Sequence, residues 1–328
     1  MKKFNPNKAI LSLFFSLIIF WTFTLSAYSA GRAGPKRVLK LIPEEVKAIF
    51  VIDIHKAMET DLIKNLLEQE KENKEFLQFM EKTGIDPQED IYYIAAAVTG
   101  TTEEAVKKGV IIINLDYDKE TLLSLLKKEA EEELKEEDYD GITIYTVDNN
   151  GKSKAGAFLD SSHIIAGSEK EVKRVIDTYR KNASNILENK EMSNLLKHTN
   201  TRAIVWGVTL LPATSGVKIP ERFEPLRFLQ VLESATFYFD YRKDNLISEI
   251  RIFSKDQEKN QKIMDMLQGA KAFASLSASE EPVINEFLDR IEISSQADFI
   301  QVYTKIPSEL LDRIKSTPWR EKLRKENY

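Results

Sequence analysis

Hydrophobic and polar positions alternate between the period of a strand and the period of a helix along most of the chain. A dense apolar run at Ala48–Ile54 predicts a buried strand, and apolar residues at helical spacing after it predict a helix. Two further apolar runs, Ile91–Val98 and Gly109–Leu115, predict a pair of strands followed by a long helix. A second predicted hairpin, Ile142–Leu159, contains the turn-forming pair Asn-Gly and precedes another helix.

The same order of elements returns in the second part of the chain. Arg202–Leu210 predicts a strand, and Pro225–Glu233 predicts a short helix. The hairpins at Ala235–Phe253 and Arg290–Ile306 have a predicted helix between them and another after them. Hairpins interspersed with helices are typical of the α+β class. We therefore expect two similar halves, each an antiparallel sheet of hairpins with helices packed on one face, and a ferredoxin-like arrangement is one form of it.

Five segments follow from this pattern. We expect a signal peptide or an uncleaved anchor at 1–30, a linker at 31–42, a first α+β half at 43–198, a second α+β half at 199–315 and a basic tail at 316–328.

The N-terminal segment has the order of a secretory signal. Lys2, Lys3 and Lys8 form a basic region, residues 9–31 carry no charge, and small residues follow the apolar stretch. The uncharged stretch also exceeds the roughly 20 residues that span a bilayer, so an anchor in the inner membrane at 9–31 is the alternative. In both cases we expect the rest of the chain to lie outside the cytoplasm, in the periplasm or outside the cell.

Composition excludes several classes of function. The chain has 47 Lys and Arg against 52 Asp and Glu, a net charge of −5, whereas a nucleic-acid-binding surface is basic. It has no cysteine, which excludes disulfides, thiolate nucleophiles and cysteine-bound zinc. With 3 histidines in 328 residues, a histidine-rich metal centre is not expected either.

Asp53 and His55 are the candidate site residues. They are two residues apart on a predicted strand, so both side chains would lie on one face and could bind a metal ion. No second histidine or acidic cluster has a matching spacing, so a hydrogen-bonded pair at a strand end is the alternative. We expect no cofactor, and no residue is assigned a catalytic role.

Other segments that resemble catalytic or binding motifs are better explained as predicted turns or helices. Gly151-Lys152-Ser153 lacks the glycine of a phosphate-binding loop, since Thr146 stands in its place. The spacing Ser124 to Lys127 matches acyl-transfer enzymes but falls on a predicted helix. The acidic run 127–140 fits an amphipathic helix, with weak calcium binding as the alternative.

Three segments of the first half resemble exported bacterial proteins of an uncharacterised family. They are LIPEEVKAIFVID, TGIDPQEDIYYIAAAV and FLDSSHIIAGSEKEVKRVID, in which a proline precedes an early strand ending in Asp and Gly-Ser opens a later helix. The resemblance implies no activity and no site residues.

Together these observations predict an exported cell-envelope protein that acts as a non-enzymatic binding or scaffolding module. One alternative is a periplasmic carrier of a small apolar or amphiphilic ligand, and another is a hydrolase with a carboxylate site that no motif reveals. The expected partner is an envelope protein or the small amphiphile, with membrane contact through the N-terminal segment and no nucleic acid.

Overall fold

The structure is a computed structural model that describes residues 34–68, 74–100, 109–130, 134–149, 152–210, 233–254, 256–278 and 281–316. The predicted signal segment, nearly all of the predicted helix at Pro225–Glu233 and the C-terminal tail after residue 316 lie outside these residues.

Strands and helices alternate as the hydrophobic pattern predicts. The strands within the described residues are β1 (Ala48–Asp53), β2 (Ile91–Val98), β3 (Val110–Leu115), β4 (Leu134–Tyr139), β5 (Ile142–Asn149), β6 (Lys152–Phe158), β7 (His163–Gly167), β8 (Val205–Leu210), β9 (Ser234–Arg242), β10 (Asn245–Phe253), β11 (Ile291–Ser295) and β12 (Phe299–Pro307). A 3₁₀ helix at Pro35–Lys40 precedes β1. The α-helices are α1 (Ile54–Met58), α2 (Asp61–Glu68), α3 (Lys74–Thr83), α4 (Lys119–Ala130), α5 (Glu169–Arg180), α6 (Lys190–Lys197), α7 (Gln257–Ser277), α8 (Pro282–Asp289) and α9 (Ser308–Ser316).

The described strands form one antiparallel sheet in the order β11-β12-β10-β9-β8-β1-β2-β3-β7-β6-β5-β4. Strands β1 and β8 pair at its centre, so both halves of the chain share the sheet. In each half the first three strands, β1-β2-β3 and β8-β9-β10, run outward from the centre in chain order and form a meander. A ferredoxin-like fold has a split βαβ arrangement instead, so the ferredoxin-like form is not the one adopted. The predicted α+β class with antiparallel hairpins is confirmed.

Helices cover both faces of the first half, whereas the sequence pattern predicts one covered face. Neighbouring residues of a strand point to opposite faces, so we call the side of Ile49 and Val51 face A and the side of Phe50 and Ile52 face B. Face A packs against the 3₁₀ helix, α5 and α6, and face B packs against α1 to α4. Helices therefore bury both faces of β2 and β3, and apart from Asn114 these strands are hydrophobic throughout.

The acidic segment after α4 differs from its predicted structure. The pattern predicts an amphipathic helix through Leu134, but α4 ends at Ala130 and β4 pairs with β5. The physical reason is the turn that follows, because Asp140 and Gly141 have φ of 53° and 75°, as a tight hairpin turn requires. Asp138 accepts a hydrogen bond from the Gly141 backbone N–H at 3.3 Å, so this acid stabilises the turn.

The segment predicted to be a linker contributes to the core from Pro35 onward. Val38 and Ile42 are fully buried and belong to the main apolar cluster of face A. The sequence pattern missed this because the 3₁₀ helix is only six residues long, too short to show a clear periodicity.

Candidate functional site

A surface of large apolar side chains lies on face B at the centre of the sheet. We call it the apolar trough, and its floor is formed by residues of four neighbouring strands: Phe50, Val205, Gly207, Phe237, Phe239 and Ile250. Phe50 pairs with Gly207, Gly207 pairs with Phe237, and Phe237 pairs with Ile250. Directly paired residues point to the same face, so these side chains form one row across β1, β8, β9 and β10.

The aromatic rings of the floor hold one another in place while remaining accessible. The ring centroids of Phe50 and Phe237 are 5.9 Å apart, and those of Phe237 and Phe239 are 6.0 Å apart. Phe50 and Phe239 are each 39% exposed, and Ile250 is 40% exposed. An apolar surface of this kind is preformed, because ring-to-ring contacts in this distance range restrict the side chains.

Gly207 is required by the packing of the floor. A Cβ atom at this position would lie 2.4 Å from Cε1 of Phe237 and 2.9 Å from the carbonyl oxygen of Ile49. The Phe237 ring therefore lies directly over the backbone of β8, in the space that any side chain at Gly207 would occupy. A glycine inside a strand commonly marks such a close approach.

Helices stand on either side of the trough. On one side α1 packs on β2, where Ala57 and Met58 join the cluster of Ile94. On the other side α7 packs on β12 and β11, where Ile263 and Leu267 join the cluster of Ile300. Among the described residues, α1 contacts mainly β2, and α7 contacts mainly β11 and β12. The main sheet contacts of both helices therefore lie outside the four strands β1, β8, β9 and β10. Four strands at about 4.8 Å spacing leave a recess roughly 14 Å wide.

The chemistry of the trough is that of an apolar binding surface. None of its six floor residues carries a charge or a titratable group, so the floor offers neither a proton donor nor a metal ligand. A recess lined by aromatic and aliphatic side chains binds an apolar group by removing both surfaces from water. Residues 211–232, which connect β8 to β9, lie outside the described residues.

The predicted pair Asp53 and His55 lies on two different elements. Asp53 ends β1 and caps α1, accepting a hydrogen bond from the Lys56 backbone N–H at 2.9 Å. His55 lies on α1 and stacks on Tyr92 with ring centroids 6.4 Å apart. The expectation that both side chains project from one strand is therefore wrong, because the strand ends at Asp53. Within the described ranges, no three His, Asp or Glu side chains come together as a group that could hold a metal ion.

Burial changes the acidity of Asp53. Burial raises the pKa of this carboxyl group, and the hydrogen bond from the Lys56 N–H together with nearby positive charge offsets only part of that increase. The structural role of this carboxyl group is to cap the N-terminus of α1. Its proposed role as a metal ligand stays a prediction.

A row of polar side chains on face A was not predicted from the sequence. Asp53 pairs with Tyr93, Tyr93 with Asn114, and Asn114 with His163, so the row crosses β1, β2, β3 and β7. Sequence reasoning missed it because these residues are far apart in the chain. The available signal was the single polar residue Asn114 inside the otherwise apolar run VIIINL.

His163 is the centre of the hydrogen bonds in this row. Its Nδ1 lies 2.9 Å from Oδ1 of Asp160, and its Nε2 lies 2.8 Å from the Tyr93 hydroxyl and 3.2 Å from Nδ2 of Asn114. Nδ2 of Asn114 also donates to the Ser162 carbonyl at 3.0 Å, which sets the orientation of the amide. Neutral His163 therefore carries its proton on Nδ1, and Nε2 accepts from Tyr93 and Asn114.

The pKa shifts in the row favour a structural role. Burial, followed by the negative charge of Asp160, raises the pKa of Tyr93 far above its usual range, and the same two causes raise the pKa of Tyr117 to about 12. Burial also acts to raise the pKa of Asp160, but hydrogen bonds from His163 and Ser162 outweigh it and lower the pKa. Tyr93 is 1% exposed and stays protonated, so it is a poor nucleophile despite its Asp-His-Tyr geometry.

The other motif-like residues also take structural positions. Ser124 lies on the exposed side of α4, and Lys127 is bound to Glu136 of β4 at 2.8 Å. Lys152 and Ser153 belong to β6, in a hairpin with β5. The Gly151 of that motif lies outside the described residues.

Comparisons with known proteins give one family and a few solved structures. No curated protein matches the chain. Crystal form III of TP0453 is similar over 86% of this chain and 97% of that chain, with 12% identity and a TM-score of 0.44. Crystal form IV of TP0453 is similar over 85% of this chain and 96% of that chain, with 11% identity and a TM-score of 0.44.

Of the helices within the described residues, none is both long enough and apolar enough to cross a membrane. The profile of a family described as "Protein of unknown function (DUF3352)" matches residues 9–280, which confirms the expected resemblance to an uncharacterised family. The chain therefore belongs to the DUF3352 family of proteins of unknown function.

Proposed function

We propose that this protein is a non-enzymatic binding module that holds the apolar tail of an amphiphilic ligand in the trough. The single observation that carries the proposal is the accessible apolar floor of the trough on face B, in which Phe50, Phe239 and Ile250 remain 39 to 40% exposed at the centre of the sheet. Isolated exposed apolar residues are ordinary, but a contiguous recess of them is typical of a binding site.

The location that we propose for this activity is the cell envelope. Support comes from the basic, apolar and small-residue order of the first thirty residues, which is the pattern of export. A binding module outside the cytoplasm would meet fatty acids and lipids released from the membrane. These ligands combine an apolar tail, which suits the trough, with a polar head that would stay in water.

The proposal is tested by competition for a fluorescent fatty acid. Cis-parinaric acid is titrated into the purified full-length chain after passage over a lipophilic resin, and palmitate is added as competitor. We expect saturable binding that Phe239→Ser weakens by about tenfold or more. Burying a phenylalanine side chain contributes roughly 1.5–3 kcal/mol, and about 1.4 kcal/mol corresponds to tenfold in affinity.

Leu187→Ser is the matched control, because Leu187 is also 40% exposed but lies between α5 and α6. It should bind the fatty acid like the unchanged chain. Equal losses in the two variants, or no saturable binding at all, would contradict the proposal. Binding that occurs only after residues 211–232 are replaced by a short Gly-Ser linker would contradict it as well, since the chain's own segment would then occupy the trough. In each case scaffolding of another envelope protein becomes the better explanation.

A further inference from the structure

Face A of the second half carries a group of polar side chains on the opposite side of the sheet from the trough. Glu249 and Arg251 lie two residues apart on β10, on either side of Ile250 of the trough floor, so they point to face A. Tyr238 of β9 pairs with Glu249, and Gln301 of β12 pairs with Arg251. Directly paired residues share a face, so the four side chains lie together. We call Tyr238, Glu249, Arg251 and Gln301 the Arg251 cluster.

Glu249 is a buried carboxylate with both oxygens in use. The residue is 6% exposed, and Nε2 of Gln301 donates to its Oε2 at 2.6 Å. Nε of Arg251 lies 2.8 Å from its Oε1. A buried charge requires compensation of this kind. Glu249 therefore holds Arg251 in place and offers no free acceptor to a ligand.

An aromatic ring supports the Arg251 side chain as well. Cζ of Arg251 lies 5.0 Å from the ring centroid of Phe299. The Phe299 ring is itself held by Phe253, at 5.5 Å between centroids, and by His198 at the end of α6, at 6.2 Å. A guanidinium between a carboxylate and an aromatic ring is restrained in orientation. The Arg251 side chain is still 25% exposed, so a ligand can reach it.

The hydrogen-bonding capacity of this guanidinium is unused. Arginine has five N–H donors, and within the part of the chain that the structure describes none of those of Arg251 has a hydrogen-bond acceptor. Its contact with Glu249 is an ion pair without hydrogen-bond alignment. Burial, followed by the charge of Glu249, raises the pKa of Tyr238, so this hydroxyl keeps its proton and is another donor. The complementary ligand is therefore a hydrogen-bond acceptor.

We propose that the Arg251 cluster is a binding site for a carboxylate group, on the opposite face of the strands that form the trough. The two Nη atoms of an arginine match the two oxygens of a carboxylate. Because Glu249 already balances the charge of Arg251, a singly charged carboxylate suits the site better than a doubly charged phosphate. The ring of Phe299 beside the guanidinium favours an aromatic carboxylate, which can stack on it.

The experiment is titration of benzoate into the purified full-length chain, followed by saturation-transfer NMR. Benzamide, which has the same ring without the charge, and inorganic phosphate are the comparison probes. We expect saturable binding of benzoate, at least tenfold tighter than that of either comparison probe. Arg251→Lys keeps the positive charge and removes the fork of donors, so we expect it to weaken benzoate binding by tenfold or more.

Arg174→Lys is the matched control. Arg174 is 29% exposed and also pairs with a buried carboxylate, that of Glu171. Its Nη1, however, already donates to both oxygens of Glu171, at 3.0 and 3.3 Å. Benzoate should bind this variant like the unchanged chain. Glu249→Gln is a second variant, which removes the balancing negative charge and should therefore raise the affinity for phosphate severalfold.

Several outcomes would overturn this inference. They are the absence of saturable benzoate binding, equal binding of benzamide, tighter binding of phosphate in the unchanged chain, and equal losses in Arg251→Lys and Arg174→Lys. A loss in Phe239→Ser as large as that in Arg251→Lys would place benzoate in the trough and overturn it too. The inference does not depend on the proposed function, since fatty-acid binding in the trough is measured separately. Circular dichroism identifies any variant that fails to fold.

Discussion

Nζ of Lys56 lies 2.6 Å from Oδ1 of Asp240, and this ion pair joins α1 of the first half to β9 of the second half. The Asp240 side chain is 1% exposed, and Arg242 lies against its other carboxylate oxygen. Lys56 also donates to the Arg202 carbonyl at 2.5 Å, so its ammonium group is held at the start of β8. The pair therefore links the two halves at the end of β1 and the start of β8.

Removing the buried carboxylate should be costly. We expect Asp240→Ala to lower the free energy of unfolding by about 1.5–3 kcal/mol, because Lys56 and the Ile204 backbone N–H both lose a buried charged acceptor. Lys64→Ala is the control, since its ion pair with Asp61 is exposed and contributes about 0–1 kcal/mol. Urea unfolding followed by circular dichroism measures both. Similar losses in the two variants would show that the Asp240 pair does not stabilise the fold.

Gly207 should not tolerate a side chain. Gly207→Ala places a Cβ atom 2.4 Å from the Phe237 ring, so the ring or the strand must shift, and overpacking of this kind costs about 1–3 kcal/mol. At Gly269 on α7 a Cβ would meet nothing within 4 Å. There the same substitution should raise stability by about 0.5–1 kcal/mol, because alanine favours a helix. Thermal unfolding of the two variants is the measurement, and a stabilised Gly207→Ala would contradict the packing of the floor.

The polar row should make stability depend on pH through Asp160. The pKa of Asp160 is lowered in the folded chain, so its contribution is fully present above the ordinary carboxyl pKa of about 4 and is lost as pH falls through the folded-state pKa. Asp160→Asn removes this contribution. We expect the variant to be less stable than the unchanged chain at neutral pH and the difference to shrink in acid. Urea unfolding at neutral pH and near pH 3 tests this, and a difference that grows in acid would contradict it.

Asp53 should show the opposite dependence. Its pKa is raised in the folded chain, so the charged carboxylate is disfavoured there and stability is lost as pH rises from the unfolded-state pKa through the folded-state pKa. Asp53→Asn keeps an acceptor for the Lys56 N–H, and asparagine caps helices about as well as aspartate. At neutral pH we expect this variant to match or exceed the stability of the unchanged chain. Asp53→Ala, which lacks the cap, should be about 1 kcal/mol less stable than Asp53→Asn. Equal stability of the two variants would contradict the capping role.

Much of the fold could be predicted because its elements have strong local signals. The apolar runs of β2 and β3 and the alternation in β9 and β10 are visible in the sequence, and the hairpin partners are close in the chain. Strand β4 could not be predicted, because Leu134–Tyr139 carries four charged residues and has no apolar alternation. It is a strand because β5 offers an unpaired edge and the Asp140-Gly141 turn directs the chain back along it.

The α+β class, the antiparallel hairpins and the family could all be predicted from local patterns, since periodicity, turn residues and segment similarity are properties of neighbouring positions. The pairing of β1 with β8, the helices on both faces of the first half and the contact between Tyr93 and His163 are visible only in the folded chain. It alone brought Phe50, Phe237 and Ile250 into one row. The physical reason is that the pairing of distant strands depends on burial and register across the whole sheet, which no local pattern encodes.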